Sequence, residues 1–176
     1  MNAITVIILY CVGIVIMFQQ SDYKLVHNHA EVVSYNKMYM AYLRLMNVKP
    51  NRTYRAYTVY FHLLRDLDGN DFKLRVMLEA ILNNVPKLKI AQFDLKVCWI
   101  LNAKSFGTER ILEASNLTAC PVKRGYYGIE NFNINDGGLP PNIPPGKYRL
   151  SLTFLDETTS ILQLYAFIDI VYAVQH

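Results

Sequence analysis

Apolar and polar residues alternate with a period of two along segments 72–80, 93–99 and 148–154 of the chain. This alternation is typical of a strand that has one face in a core and the other in water. We therefore predict three half-buried strands. Their inward-facing positions are the residues that we expect around any cavity: Phe72, Leu74, Val76, Leu78, Phe93, Leu95, Val97, Trp99, Tyr148, Leu150, Leu152 and Phe154.

Segments 54–64 and 161–173 are more uniformly apolar and rich in Tyr, Val, Ile and Phe, which predicts strands that are buried on both faces. One or two further strands are expected within 31–44. A single short helix is predicted near 108–114, with Thr108 as its N-cap. Helical structure within 83–89 is left open because Pro86 interrupts it.

Turn signals separate these elements. Asp68-Gly69 predicts a hairpin between 54–65 and 72–80, and 156–159 separates the last two strands. Six to eight short strands predict a mainly all-β protein, an antiparallel immunoglobulin-like β-sandwich or β-cup. The chain has 176 residues, of which 52% are hydrophobic and 18% charged, so it can fill a core.

The first twenty residues include an uncharged apolar run over 3–18. As a helix this run would span roughly 24 Å at about 1.5 Å per residue, which is short for a bilayer crossing. We predict a secretory signal peptide over 1–20 and a single secreted, extracellular domain over 21–176. An uncleaved signal anchor is the alternative, since no Lys or Arg precedes the run.

Secretion changes the interpretation of the cysteines and of two sequons. Cys11 lies in the leader, so the mature chain keeps Cys98 and Cys120, which we expect to pair in an oxidising compartment. Free buried thiols and an intermolecular bond are the alternatives. The sequons predict glycosylation at Asn51 and Asn116.

Charge and motifs narrow the classes of function. The net charge is +4 and the basic residues are spread along the chain, so we predict no nucleic-acid partner, while weak attraction to an anionic membrane stays open. His27 and His29 could offer two imidazoles to a metal, but a flexible, exposed pair is the preferred interpretation. We find no catalytic motif and predict no enzyme, no metal and no cofactor.

Several short motifs resemble a known family. They are the segments 93–98, 116–121 and 126–129, together with Leu139-Pro140-Pro141 and 145–150. The pattern resembles a large insect family of small secreted proteins of unassigned function. It is similar in turn to the insect chemosensory B proteins, the ganglioside activator protein and the lipid-recognition (ML) superfamily. The resemblance implies a β-sandwich open at one side, with an apolar cavity for a lipid.

Two hypotheses of function follow. The first is a secreted, non-catalytic carrier of lipids or other small apolar molecules, with a chemosensory or pheromone-related role as one form of it. A membrane surface or an extracellular receptor are further candidate partners. The alternative is an extracellular protein-interaction glycoprotein with a solid core. Alternating strands suit both hypotheses, because a filled core and a hollow one need the same pattern.

Overall fold

The computed structural model describes residues 23–49, 55–103, 108–117, 120–132 and 143–172. Within these ranges the chain forms eight strands and two short helices. In chain order they are β1 (Tyr23–Tyr35), β2 (Met40–Val48), β3 (Ala56–Leu63), β4 (Phe72–Leu82), β5 (Val85–Lys96), α1 (Val97–Asn102), α2 (Thr108–Glu113), β6 (Gly125–Phe132), β7 (Gly146–Asp156) and β8 (Thr159–Tyr172). Neither helix is long enough to span a membrane, and no other helix lies in the described residues.

The strands form two antiparallel sheets. The larger sheet has the order β1-β8-β7-β4-β5 and the smaller one the order β2-β3-β6. Both contribute side chains to a shared core, which confirms the predicted antiparallel sandwich. Helix α2 confirms the short helix predicted near 108–114.

The register of the larger sheet explains why its apolar residues share one face. Val76 on β4 lies opposite Leu152 on β7 and opposite Phe93 on β5. Residues directly opposite each other in a sheet point to the same side. The three stripes predicted from the sequence are therefore neighbours, in the order β5, β4 and β7.

The hairpin predicted at Asp68-Gly69 is wrong. Strand β3 belongs to the smaller sheet and β4 to the larger one, so the chain crosses between the sheets at this point. The turn chemistry itself is present, because the backbone N–H of Asn70 donates to Oδ1 of Asp68 over 3.0 Å. Leu67 makes a bridge to Val122, which anchors the crossing segment near β6. The turn signal thus correctly indicated that the chain changes direction here, but not that the strands on either side belong to different sheets.

The strand predicted over 93–99 begins and ends before the predicted positions. Strand β5 runs from Val85 to Lys96 and is joined to β4 by Asn83 and Asn84, whose φ angles are 54° and 63°. Asparagine tolerates this left-handed region, which a two-residue hairpin turn requires. After Lys96 the chain forms helix α1, which was not predicted from the sequence.

The interpretation of His27 and His29 as a flexible, exposed pair is wrong for His27, which is buried, whereas His29 is exposed. Both lie on β1, and His27 is only 8% exposed. The Nδ1 atom of His27 lies 3.2 Å from the hydroxyl of Tyr57, and the His29 ring stacks on Phe167. Because the pairing of β1 with β8 shifts between His27 and His29, these residues lie opposite Ile168 and Phe167, which are neighbours on β8 and point to opposite faces. An aromatic partner on each face therefore contacts each ring.

Candidate ligand-binding cavity

A cavity of about 270 Å³ lies between the two sheets and is partly open to solvent. The larger sheet forms one wall through β5, β4, β7 and β8, while β3 and β6 form the opposite wall. Helices α1 and α2 and the segment around Leu117 close the side between β5 and β6. The cavity is therefore enclosed by elements that are distant in sequence.

Every described residue that lines the cavity is apolar. They are Met40, Val59, Phe61, Leu63, Leu67, Phe72, Leu74, Val76, Phe93, Leu95, Val97, Ile100, Leu101, Ile111, Leu117, Val122, Ile129, Phe132, Leu150, Leu152, Phe154, Ile161, Leu162 and Leu164. Water inside such a lining finds no side-chain hydrogen-bond partner, and apolar cavities of this kind stay dry or take up apolar molecules. The chemistry of the lining suits a hydrocarbon and offers nothing to a charged group.

Most of the residues expected from the sequence lie on this lining. Those that do are Phe72, Leu74, Val76, Phe93, Leu95, Val97, Leu150, Leu152 and Phe154. Leu78 and Tyr148 are also buried, but they do not line the cavity and pack in an apolar cluster of the larger sheet. The same alternating strands therefore contribute some side chains to the cavity lining and others to a buried apolar cluster beyond it.

Trp99 does not face the cavity, and its placement there was wrong. It lies on α1 and is 58% exposed. On a helix the inward positions are spaced by three or four residues, so Val97, Ile100 and Leu101 face inward and Trp99 faces out. The strand period of two, carried past Lys96, put this side chain on the wrong side.

The opposite wall of the cavity was not expected from the sequence. Val59 and Phe61 belong to β3, which was expected to be buried on both faces, and Ile129 belongs to β6, which was not predicted as a strand. The only signal for β6 was the run of aromatic and apolar residues at 126–129. The spacing of Val97, Ile100 and Leu101 was a readable helix signal.

A disulfide holds the helical side of the cavity. Cys98 on α1 is bonded to Cys120, and their Cα atoms are 5.5 Å apart. Cys98 is buried at 7% exposure, next to Ile100 and Leu101, which line the cavity. The bond therefore ties the helix that follows β5 to the segment that leads into β6, so it links the two sheets across this side.

Of the two predicted glycosylation sites, the structure describes Asn116 and does not describe Asn51. Asn51 lies outside the described residues. Asn116 is exposed, and its side chain is bonded to the backbone of β6: Nδ2 donates to the carbonyl of Tyr126 over 2.8 Å, and Oδ1 accepts from the N–H of Gly128 over 2.9 Å. Asn116 thus also satisfies backbone groups along the outer edge of β6.

The titratable groups with shifted pKa values lie away from the cavity lining. Burial raises the pKa of Tyr57 to about 12. The pKa of Asp66 is lowered, first by a hydrogen bond from the backbone of Arg124 and then by one from Lys123. Among the described residues no cluster of three or more His, Cys, Asp or Glu could hold a metal. The shifted groups therefore lie elsewhere in the fold, and the described lining of the cavity contains no ionisable side chain.

The outer face of the smaller sheet carries a second, more polar groove of about 420 Å³. Tyr42, Tyr60 and Tyr126 line it, together with Glu130, which accepts a hydrogen bond from the Tyr60 hydroxyl over 2.7 Å. Tyr126 is 72% exposed and stacks on His62 with 3.8 Å between ring centres. Exposed aromatic rings of this kind are frequent at protein interfaces.

Part of the chain is similar to a known protein family. A family model described as a protein of unknown function, DUF1091, matches residues 72–150. The match overlaps the segment that carried the sequence resemblance and includes Cys98 and Cys120. No curated protein matches the chain.

Solved structures also match. One is the crystal structure of a Niemann-Pick type C2 protein from the Japanese carpenter ant. It is 13% identical, with 80% of this chain and 97% of that chain covered and a TM-score of 0.36.

Proposed function

We propose that the protein is a secreted carrier of a small apolar molecule, which it holds in the cavity between its sheets. The observation that carries the proposal is the void of about 270 Å³ whose described lining is entirely apolar. A solid core, as the competing hypothesis assumed, would leave no such space at ordinary packing density. Binding would come from the removal of apolar ligand surface from water.

The size of the cavity suggests the ligand class. Its volume lies just below the roughly 300–1,000 Å³ of typical small-molecule pockets. It therefore suits one acyl or hydrocarbon chain better than a lipid with several chains. Since the described lining has no polar side chain, any polar head group would remain at the open part of the cavity. A fatty acid, a long-chain alcohol or a pheromone-like hydrocarbon fits these conditions.

The proposal places the protein outside the cytosol and assigns it no chemistry. The Cys98–Cys120 disulfide supports secretion, because such bonds persist in oxidising compartments. The leader over 1–20 and the sequon at Asn51 lie outside the described residues and remain part of the proposal. Absence of catalysis is tested by recovering an added ligand from the protein and finding its mass unchanged.

Displacement of a fluorescent fatty-acid probe by alkanoic acids of increasing length tests the proposal. Each added methylene that enters the cavity contributes about 0.8 kcal/mol, so affinity should rise about fourfold per methylene. The rise should stop once the chain fills the cavity. Failure of the protein to bind the probe, or affinities independent of chain length, would contradict the proposal.

A matched pair of variants locates the site. Leu152 lines the cavity, whereas the next residue on β7, Thr153, points to the opposite face of the sheet. Leu152→Trp should fill part of the void and abolish binding of the longest acids, while Thr153→Trp should leave binding unchanged. Near-ultraviolet circular dichroism checks that both variants keep native packing. Equal loss of binding in both would place the ligand elsewhere.

The outer aromatic groove favours a second candidate function, an interaction module for an extracellular protein. Tyr42 and Tyr126 are 45% and 72% exposed on one face of the smaller sheet. Tyr42→Ser and Tyr126→Ser should abolish binding of such a partner, and neither residue lines the cavity. Receptor binding that survives Leu152→Trp but not these changes would favour this function over the carrier.

A further inference from the structure

The tip of the β4–β5 hairpin carries apolar side chains that lie beyond the core. Leu82, Val85 and Leu88 are 50%, 50% and 54% exposed. The apolar cluster of the larger sheet reaches Ala80 on β4 and Ala91 on β5 and does not include the residues nearer the turn. The hairpin therefore extends past the part of the sheet that the core covers.

These side chains form one patch. Leu82 lies opposite Val85 and Ala80 lies opposite Leu88, so the members of each pair point to the same face. Alternate residues of a strand share a face, which places Leu82 on the same side as Ala80 and the buried Leu78. We call Leu82, Val85 and Leu88 the hairpin patch. It continues the inward face of the larger sheet into solvent.

Positive charge accompanies the hairpin patch. Lys87 and Lys89 are exposed on the same strand, with Lys89 opposite Glu79 on the other face of the hairpin, and residues 80–93 contain no acidic side chain. Glu79, the acidic residue just before this segment, is paired with Arg149, whose guanidinium lies 2.7 Å from its carboxylate. The tip thus combines exposed apolar groups with unneutralised cationic ones, the combination that binds anionic lipid surfaces.

The geometry of β5 disfavours a protein strand as the occupant. β5 is an edge strand, which could in principle pair with another chain. Its pairing with β4 has irregularities on either side of Leu88, and Pro86 has no N–H to donate. Bulges, proline and lysine are the features by which edge strands resist added strands. A lipid surface needs no such backbone pairing.

We propose that the tip of the β4–β5 hairpin docks on the surface of an anionic lipid bilayer. The hairpin patch enters the interfacial region, while Lys87 and Lys89 contact the anionic head groups. This inference goes beyond ligand binding in the cavity, because none of the residues involved lines the cavity. Contact with a bilayer would bring the protein to a source or acceptor of apolar molecules.

Co-sedimentation with vesicles tests the charged part of this surface. The mature protein should bind vesicles of equimolar phosphatidylserine and phosphatidylcholine, and binding should weaken as salt is raised. Each lysine removed should weaken binding about fivefold, so Lys87→Glu with Lys89→Glu should weaken it by about 25-fold or more. The control pair is Lys37→Glu with Lys96→Glu, which changes the net charge equally at the opposite end of the larger sheet.

A second pair of variants tests the apolar part. Leu82→Ser with Leu88→Ser should abolish most vesicle binding and leave the fold intact, since both side chains are already half exposed. Val33→Ser with Met38→Ser is the matched control, because these side chains are 43% and 63% exposed and lie outside the hairpin. Binding of the soluble fatty-acid probe should be unchanged in all four variants, which separates this inference from the proposed cavity.

Three results would overturn the inference. The first is a wild-type protein that stays in the supernatant with anionic vesicles. The second is equal vesicle binding by the hairpin variants and their controls. The third is self-association of the wild-type protein that Leu82→Ser with Leu88→Ser abolishes, without vesicle binding, which would assign the hairpin patch to contact between two copies of the chain.

Discussion

Removal of the Cys98–Cys120 disulfide should loosen the helical side of the cavity and destabilise the whole fold. The bond joins cysteines 22 residues apart in sequence. In the chain-entropy model, a closed loop of about this length stabilises the native state by about 3 kcal/mol, because it restricts the unfolded chain. A domain of this size shifts its melting temperature by about 2–4 °C per kcal/mol, so the expected decrease is about 6–12 °C.

The double variant Cys98→Ala with Cys120→Ala is suited to this measurement. Alanine is preferred to serine because Cys98 is buried, and a buried hydroxyl without a partner would add its own cost. Urea denaturation can be followed by the fluorescence of Trp99, the single tryptophan of the chain, which adjoins Cys98 on α1. Wild-type protein reduced with dithiothreitol serves as the control, since it loses the cross-link but keeps both sulfur atoms.

Variant and reduced wild type should unfold at nearly the same urea concentration, well below the oxidised wild type. Affinity for a fatty-acid probe should also fall, because Val97, Ile100 and Leu101 of α1 line the cavity. Equal stability of oxidised and reduced protein would refute the reasoning. A variant much less stable than the reduced wild type would show that packing of the sulfur atoms, rather than the cross-link, carries the effect.

Three further perturbations test other parts of the structure. Glu79→Gln should lower the free energy of unfolding, measured by urea denaturation, by about 2 kcal/mol. The reason is that Arg149 donates from Nε and Nη2 to the same Glu79 oxygen in a mostly buried pair. Unchanged stability would contradict this pairing. Burial raises the pKa of Tyr57 to about 12, above its unfolded value near 10, so it contributes stability that is complete below about pH 10 and lost as the pH rises towards 12. Tyr57→Phe should reduce the late-ionising part of an ultraviolet titration of the tyrosines, and no change on that substitution would count against the assignment. In protein produced in bacteria, Asn116→Ala should lower stability by about 1 kcal/mol, because its bonds to β6 are lost. Unchanged stability would argue against the structural role of Asn116.

The fold and one wall of the cavity could be predicted because strand periodicity records which side chains face inward. The alternation in β4, β5 and β7 depends only on local sequence, and it put Val76, Phe93 and Leu152 on one face. The turn at 156–159 joins strands that are adjacent in both sequence and space. The alternation predicts the inward face correctly because one face of each of these strands is buried along its length.

The opposite wall and the cavity itself could not be predicted, because they depend on pairings between distant segments. The crossing after β3 sends the chain to another sheet, although Asp68-Gly69 has the same local chemistry as a hairpin turn. Strand β6 contains Gly125 and Gly128 and lacks clean alternation. Whether two apolar faces meet tightly or leave a space is set by the distance between sheets, and no residue pattern encodes that distance directly.

Native mass spectrometry of the protein purified from insect-cell culture without detergent tests the central claim most directly. The intact mass should exceed that of the polypeptide and its glycans by the mass of one apolar molecule, which gentle activation releases. The added mass should be absent from Leu152→Trp and present in Thr153→Trp, whose substitution lies on the opposite face of β7. A protein that carries no such molecule, and takes none up from added fatty acids or hydrocarbons, would contradict the claim that the cavity is a binding site.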